Sequence, residues 1–206
     1  MRQKEFEFIK DNVTYKVFVT YKYQRNIYFR YKKDGFYVSA PYLTSKQTIL
    51  GGIEKFFPKL LKQHDKLYSH FSFEEDHVYL LGEKASISSL NIKNEEELNL
   101  FLKKKALGIL TEEVKKYQQI MGISTEYKVK IRDTSHQYGS NSKKTHTLSF
   151  QTSLIHYSLD IIDTVVVHEL AHDFERNHQK GFYEIVYKYS PNYKELQRKL
   201  KKGIHQ

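Results

Sequence analysis

The sequence of 206 residues has no cysteine, only three prolines and only nine glycines. The absence of cysteine excludes a disulfide scaffold, a cysteine nucleophile and thiolate ligation of a metal, so a metal site must use histidine, aspartate or glutamate. The low proline and glycine counts, together with 39% hydrophobic residues, exclude a low-complexity or disordered chain. A chain without cysteine also fits a reducing compartment.

Long apolar runs are missing as well. No stretch approaches the roughly 18 consecutive apolar residues of a membrane helix, so we expect no membrane span. The N-terminal segment MRQKEFEFIKDNVTYK is too polar for a secretory signal, and the predicted location is therefore the cytoplasm.

Acidic residues are fewer than basic ones, and the formal net charge is +10. A basic balance can favour nucleic acid or an anionic surface. The lysines are spread along the chain, with local runs at residues 103–105 and 198–202. This distribution is typical of a solvated, lysine-rich surface.

The first half of the chain is predicted to be rich in strands. Residues 5–40 carry β-branched and aromatic runs, and Asp34-Gly35 is a typical tight-turn dipeptide for a hairpin. A helix capped by Thr44 or Ser45 follows, and a further strand pair is predicted around Gly82.

The second half is predicted to be mainly helical. Asn94 caps a helix that ends at Gly122, and strands at 127–133 and 146–151 flank a polar turn. A helix from Ser158 or Asp160 to about Phe174 and another at 180–189 follow. The predicted class is α+β: one domain over 1–206, with an N-terminal antiparallel sheet in a β-rich part at 1–90 and a helical part at 91–206.

The segment TVVVHELAHDFERNHQKGFYEI carries the chemistry. His168 and His172 are four residues apart, so a helix places both imidazoles on one face, where they can bind one zinc ion. Glu169 lies beside them and completes the H-E-x-x-H pattern of a general base next to a metal. The surrounding residues are apolar, and such a helix is a costly place for these groups unless they have partners.

A catalytic zinc ion usually has three protein ligands and one open position. His178 is the best third ligand, provided that the chain leaves the helix after His172; Asn177 tolerates the left-handed conformation that such a turn needs. Glu184 and Glu195 are the alternatives. Asp173 more readily belongs to the polar face.

The spacing of the three histidines equals that of the metzincins, but two features disagree with that group. Glu175 occupies the metzincin glycine position, and the methionines, Met1 and Met121, are both upstream of the motif, so no Met-turn follows it. The sequence therefore favours another family.

The C-terminal third resembles the YgjP-like metallopeptidases, relatives of the SprT-like and WLM zinc peptidases. The resemblance rests on VVVHELAH, NHQKGFYEIV and SPNYKELQRKL. In that family an aromatic pair and a Pro-x-Tyr segment follow the third histidine, matched here by Phe182-Tyr183 and by Pro191 with Tyr193. Upstream, QYGSNS resembles the family's Trp-Gly-Ser-Cys-Ser loop, with Tyr138 for Trp and Asn141 for Cys.

The resemblance implies a zincin-like catalytic part at 91–206 that hydrolyses peptide or protein substrates. One Zn²⁺ would be held by His168, His172 and His178, with Glu169 as general base. A donor must also stabilise the tetrahedral oxyanion, and the candidates for this or for substrate contact are Tyr183, Tyr187, His136 and Arg132.

Two alternatives remain open at this point. The first is a nucleic-acid-associated metalloprotein, since the SprT-like relatives act on DNA-bound proteins and the basic, tyrosine-rich chain is compatible with nucleic acid. The second is a non-catalytic zinc-binding domain, although a purely structural site does not need Glu169. Neither the substrate nor the oligomeric state follows from these residues.

Overall fold

The computed structural model describes residues 2–32, 35–68, 70–133 and 137–206, and it confirms the α+β class. The chain divides into two compact units, Met1–Ser69 and His70–Gln206. That both units together form one functional domain stays a prediction. The strands are β1 (Arg2–Lys10), β2 (Val13–Lys22), β3 (Tyr28–Lys32), β4 (Gly35–Pro41), β5 (Phe71–Ser72), β6 (His77–Leu80), β7 (Glu83–Ala85), β8 (Lys128–Arg132), β9 (Gly139–Ser142) and β10 (Thr147–Gln151). The helices are α1 (Lys46–Tyr68), α2 (Glu95–Met121), α3 (Leu159–Ala171), α4 (Lys180–Tyr189) and α5 (Tyr193–Lys202).

The N-terminal unit is a four-stranded sheet in the order β1-β2-β4-β3. Asp11 and Asn12, with φ of 51° and 62°, make the two-residue turn between β1 and β2, a conformation that Asp and Asn tolerate. The sheet is mixed rather than purely antiparallel, because β2 and β4 pair in parallel. The β3–β4 pair is antiparallel as predicted, while Lys33 and Asp34 of its turn lie outside the described residues.

Helix α1 covers one face of this sheet. Its start is capped by Ser45, whose Oγ accepts the Thr48 amide at 3.0 Å. A β-carbon on Gly52 would lie 2.3 Å from the Phe29 ring, so glycine lets α1 approach β3 closely. The buried residues of the unit alternate along β2 and β4 and recur at helical spacing in α1; they are Phe8, Val17, Val19, Tyr21, Phe36, Val38, Ala40, Ile49, Ile53, Phe57 and Leu60.

The C-terminal unit contains a sheet in the order β8-β10-β9 and a small sheet of β5, β6 and β7. Helix α2 has the predicted ends: Asn94 accepts the Glu97 amide at 2.9 Å, and Gly122 ends the helix with φ of 71°. The predicted polar turn after β8 instead contains the edge strand β9. Helix α5 lies in the C-terminal stretch predicted to be helical, but no separate bounds were predicted for it. Within the described ranges, no helix has both the length and the apolar character to cross a bilayer.

A buried histidine makes the folding stability of the C-terminal unit depend on pH. His156 is 2% exposed, and its Nδ1 donates to the Tyr79 carbonyl at 2.7 Å. Burial lowers the pKa of His156 from 6.5 to about 4. The unfolded chain therefore binds more protons than the folded one between these pH values, so stability falls as pH drops through this window, by up to roughly 3 kcal/mol.

This prediction can be tested by urea unfolding at pH 7, 6, 5 and 4.5. His156→Asn should flatten the pH dependence by about the stated amount, whereas His146→Asn, at an exposed position, should leave it as in the wild type. An equal pH dependence of wild type and His156→Asn would contradict the prediction.

Candidate metal centre

Helix α3 carries the first two residues of the motif in its last turn. Its valine run, Val165 to Val167, is almost fully buried, so packing offsets the modest helix propensity of β-branched residues. The helix ends at Ala171 rather than near Phe174 as predicted. His172 is the next residue and keeps right-handed helical angles, with φ of −63° and ψ of −14°. It therefore still lies one turn beyond His168.

A tight turn returns the chain toward the helix. The amides of Asp173 and Phe174 bond back to the Leu170 and Ala171 carbonyls at 2.9 and 3.1 Å. The predicted left-handed Asn177 is wrong, since its φ is not positive. This turn brings His178 back to His168 immediately before α4 begins.

The three histidines converge. Their ligand nitrogens all lie within 4.8 Å of one another, and Nε2 of His178 is 3.0 Å from Nε2 of His168. Two nitrogens on one tetrahedral zinc ion lie about 3.3 Å apart, given bonds of 2.0–2.1 Å. The donor set therefore fits a divalent metal ion; His168 and His172 are half-buried, and His178 is exposed.

Two of these histidines form hydrogen bonds through Nδ1, the ring nitrogen that is left free when Nε2 binds a metal. Nδ1 of His172 is 3.1 Å from the Glu175 carbonyl, which can only accept, so this nitrogen carries the hydrogen and Nε2 keeps its lone pair. Nδ1 of His168 is 2.8 Å from the Tyr193 hydroxyl. Such contacts orient metal-binding imidazoles.

The electrostatics of the site favour neutral imidazoles. Burial, together with the nearby His172 and His178, lowers the pKa of His168 to about 4, and burial likewise lowers the pKa of His172. A metal binds only the neutral form of histidine, so little proton competition is expected near neutral pH.

Glu169 and the three histidines line one cleft, which has a volume of about 600 Å³. The Glu169 side chain is only 6% exposed, and burial raises the pKa of Glu169 to about 8. Burial thus increases the affinity of this carboxylate for a proton, which makes it the stronger base. Gly139 on β9 makes room for it, since a β-carbon there would lie 2.6 Å from Oε1 of Glu169.

Strand β9 is tied to the end of α3. Nδ2 of Asn141 donates to the Glu169 carbonyl at 2.8 Å and to the Tyr127 hydroxyl at 3.2 Å. Tyr127 in turn donates to Oδ1 of Asp173 at 2.7 Å. These bonds hold the backbone of Glu169 against the sheet, and they give Asp173 a partner away from the histidines.

The other predicted contacts lie apart from the cleft lining. Tyr183 and Tyr187 stack with ring centroids 6.0 Å apart, and the Tyr183 ring is 6.4 Å from that of His178. Arg132 is exposed at the end of β8. Among the described residues that line the cleft, none of these three occurs. His136 lies outside the described residues.

The two rival acidic ligands lie on exposed helix surface. Glu184 pairs with Lys180 at 3.7 Å, and Glu195 pairs with Lys199 at 3.2 Å. Of the residues that the structure describes, the group able to hold a metal ion consists of the three histidines. The fold thus brings His178, and neither glutamate, close to His168 and His172.

Sequence reasoning did not assign a role to several residues that line the cleft. They include Tyr193 from α5, and Gly139 and Asn141 from β9. The motif itself gave no signal for them, because they meet α3 only through long-range packing. The Pro-x-Tyr and Tyr-Gly-Ser-Asn-Ser segments of the family resemblance contained all three.

The comparison with family models gives a match in the C-terminal unit. The model of the YgjP-like metallopeptidase domain matches residues 87–203, more than half of the chain. No curated protein matches the chain significantly.

Similar solved structures include two metallopeptidase zymogens. Abylysin from Pyrococcus abyssi is 21% identical, with 47% of this chain and 96% of that one covered and a TM-score of 0.44. Jannalysin from Methanocaldococcus jannaschii is 19% identical, with 45% and 94% covered and a TM-score of 0.42. Similarity at this level carries no argument about the function of this chain.

Proposed function

The chain belongs to the YgjP-like metallopeptidase family, and from that premise we propose that it is a zinc peptidase with one Zn²⁺ held by His168, His172 and His178. The observation that carries the proposal is the convergence of three histidine nitrogens within 4.8 Å beside a buried carboxyl group in one cleft. A predominantly structural zinc site is usually closed by four protein ligands, whereas three ligands leave a position for chemistry.

The chemistry divides between the metal and this chain's side chains. Zinc supplies Lewis acidity, which polarises the scissile carbonyl and makes water more acidic. Glu169 accepts a proton from the attacking water and passes it to the leaving amine. Its burial keeps bulk water away from the carboxyl group, Gly139 leaves room for the side chain, and Asn141 holds the backbone of Glu169.

The edge strand β9 offers a way to bind the substrate. The strand order β8-β10-β9 leaves one side of β9 outside the sheet, and Gly139, Ser140 and Asn141 line the cleft. An extended peptide can pair with an exposed sheet edge through its backbone, largely independently of its side chains. This would place a scissile bond along β9 beside the metal.

The decisive experiment combines metal analysis with peptide cleavage. We expect about one zinc ion per chain after purification without chelators, and cleavage of denatured casein or a mixed peptide library that a chelator abolishes and zinc restores. Protein that neither contains nor binds zinc, or zinc-loaded protein that leaves every peptide intact, would overturn the proposal.

Gly139→Ala is a sharper test of the cleft. The added methyl group would lie 2.6 Å from Oε1 and 2.7 Å from Cγ of Glu169, and the buried carboxyl group must move. A misplacement of about 1 Å in a catalytic group can cost about 100-fold in rate. We expect a loss of that order in the turnover number with unchanged zinc content.

The matched control is Gly108→Ala on α2, where an added β-carbon meets nothing within 4 Å. It should retain wild-type turnover and zinc content. Unchanged turnover in Gly139→Ala would contradict the assigned position of Glu169.

A second candidate function, association with single-stranded nucleic acid, is favoured by one surface of the N-terminal sheet. The face away from α1 carries Phe18 and Tyr37, whose rings stack with centroids 4.8 Å apart. Lys32 lies over the Tyr37 ring at 4.8 Å, and Arg30 is the direct cross-strand neighbour of Tyr37. We call Phe18, Tyr37, Arg30 and Lys32 the aromatic face.

Bases stack on aromatic rings whatever their sequence, while nearby cations contact the phosphates. The acids on this side of the sheet, Glu5 and Glu7, lie on the flanking strand β1 beyond Phe18 and Lys16. The aromatic face is therefore bordered by cations on its β3 side, which suits a polyanion with exposed bases.

Fluorescence anisotropy with a labelled 12-nucleotide strand tests this candidate. We expect the affinity to fall between about 50 and 200 mM salt, and Arg30→Glu to reduce the slope of that dependence by about one. Lys104→Glu, at an exposed position on α2, is the matched charge control and should have no effect. Salt-independent binding, or equal loss in both variants, would exclude the aromatic face as the site.

A further inference from the structure

Tyr193 contacts the metal centre from a separate helix. It is the first residue of α5, only 8% exposed, and its hydroxyl is 2.8 Å from Nδ1 of His168. The two rings are nearly parallel, with an angle of 6° and centroids 6.0 Å apart. The hydroxyl therefore lies within hydrogen-bonding distance of Nδ1.

The approach of Tyr193 is fixed by the turn that precedes it. Its amide donates to the Ser190 carbonyl at 3.0 Å. Oγ of Ser190 lies 3.0 Å from Oγ1 of Thr164 on α3, and both hydroxyl groups are buried. One hydrogen bond between α3 and this turn thus sets the distance from which Tyr193 reaches His168, one helical turn further along α3.

A neutral imidazole has one nitrogen that donates and one that accepts. Nε2 of His168 faces Nε2 of His178 inside the histidine group, so it must keep its lone pair if a metal is to bind there. Nδ1 must then carry the hydrogen and donate it to the Tyr193 oxygen. The alternative tautomer would leave His168 without an available lone pair at the metal.

We propose that Tyr193 is a positioning residue of the metal centre: its hydroxyl fixes the tautomer and the ring orientation of His168 that present Nε2 to the ion. This rests on the proposed metal site and not on peptide hydrolysis. The hydroxyl lies on the Nδ1 side of the His168 ring, so Tyr193 would act on the metal through His168.

The two candidate ligands His168 and His172 differ in the kind of group that Nδ1 contacts. The Nδ1 partner of His172 is a backbone carbonyl, that of Glu175, which no side-chain substitution removes. The partner of His168 is a side chain, and Tyr193→Phe deletes only its oxygen while keeping the buried ring. The contribution of this hydrogen bond to the site can therefore be measured with little change in packing.

The experiment titrates zinc into the metal-free full chain against a chromophoric chelator. Loss of a hydrogen-bond partner behind a ligand typically weakens metal affinity about 10- to 100-fold, and we expect Tyr193→Phe to fall in that range. Peptide cleavage should be low at limiting zinc and recover at saturating zinc. Nitrogen-15 NMR of the metal-free protein should show Nδ1-protonated His168 in the wild type and a mixture of tautomers in the variant.

Tyr117→Phe is the matched control, since it also removes a half-buried hydroxyl group, one that donates to Asp163 at 2.9 Å. It should leave both the zinc affinity and the His168 tautomer unchanged. Zinc affinity of Tyr193→Phe within twofold of the wild type, with His168 still protonated at Nδ1, would overturn the proposal. Zinc binding without peptide cleavage in the wild type would contradict the proposed peptidase function. The role of Tyr193 could still be measured through the zinc affinity and the His168 tautomer.

Discussion

Glu169→Gln is expected to lower the turnover number for peptide cleavage by about 10²- to 10⁴-fold, the usual contribution of a general base. The amide occupies nearly the same volume in the buried site, but it cannot accept a proton from water. Zinc content should be unchanged, because the group able to hold the metal consists of the three histidines. Turnover of a quenched fluorescent peptide and zinc per chain are the two measurements.

Glu184→Gln is the matched control for this substitution. Glu184 is exposed on α4 and pairs with Lys180, so its replacement removes a carboxylate near the motif without changing the cleft. Wild-type turnover in Glu169→Gln would contradict a role as general base. Zinc bound by the wild type without any peptide cleavage would instead favour the alternative of a non-catalytic zinc-binding domain.

His178→Ala is expected to weaken zinc binding by more than about 100-fold, beyond the upper end of what the loss of a supporting hydrogen bond causes. Two protein ligands would remain where a catalytic zinc ion needs three. His178 is exposed on the turn before α4, so the truncation should change the melting temperature of the metal-free protein little. Competition with a chromophoric chelator gives the affinity.

Substitutions of the two alternative ligands, Glu184 and Glu195, test whether His178 is the third ligand. Glu195→Gln and Glu184→Gln should both retain wild-type zinc affinity. Retained affinity in His178→Ala, together with its loss in either glutamine variant, would make a glutamate the third ligand.

Local chemistry explains what could be predicted from the sequence. Asn94 and Gly122 were recognised as helix ends because a side-chain cap and a left-handed glycine act on their immediate neighbours. The range 180–189 of α4 was predicted because these residues form an apolar face at helical spacing and Pro191 follows just beyond them. His168, Glu169 and His172 were found in the same way, since their spacing alone places them on one turn.

The features that were missed depend on distant partners. Strand β9 has the sequence Gly-Ser-Asn-Ser, which shows no apolar alternation, and it is a strand because β10 pairs with it. The conformation of Asn177 was predicted from a propensity, and the turn around it formed another way. The role of Tyr193 depends on the docking of α5 beside α3, which no local pattern encodes. The cytoplasmic location stays a prediction.

The burial of α3 has a consequence for how the metal is acquired. Val165, Val166 and Val167 anchor the helix in the core, so His168 is held in place before any ion arrives. The entropy cost of assembling the ligands is then largely met by folding rather than by metal binding. Small zinc modules that lack such a core unfold when a chelator removes their ion; here the ion should exchange in and out of a folded framework.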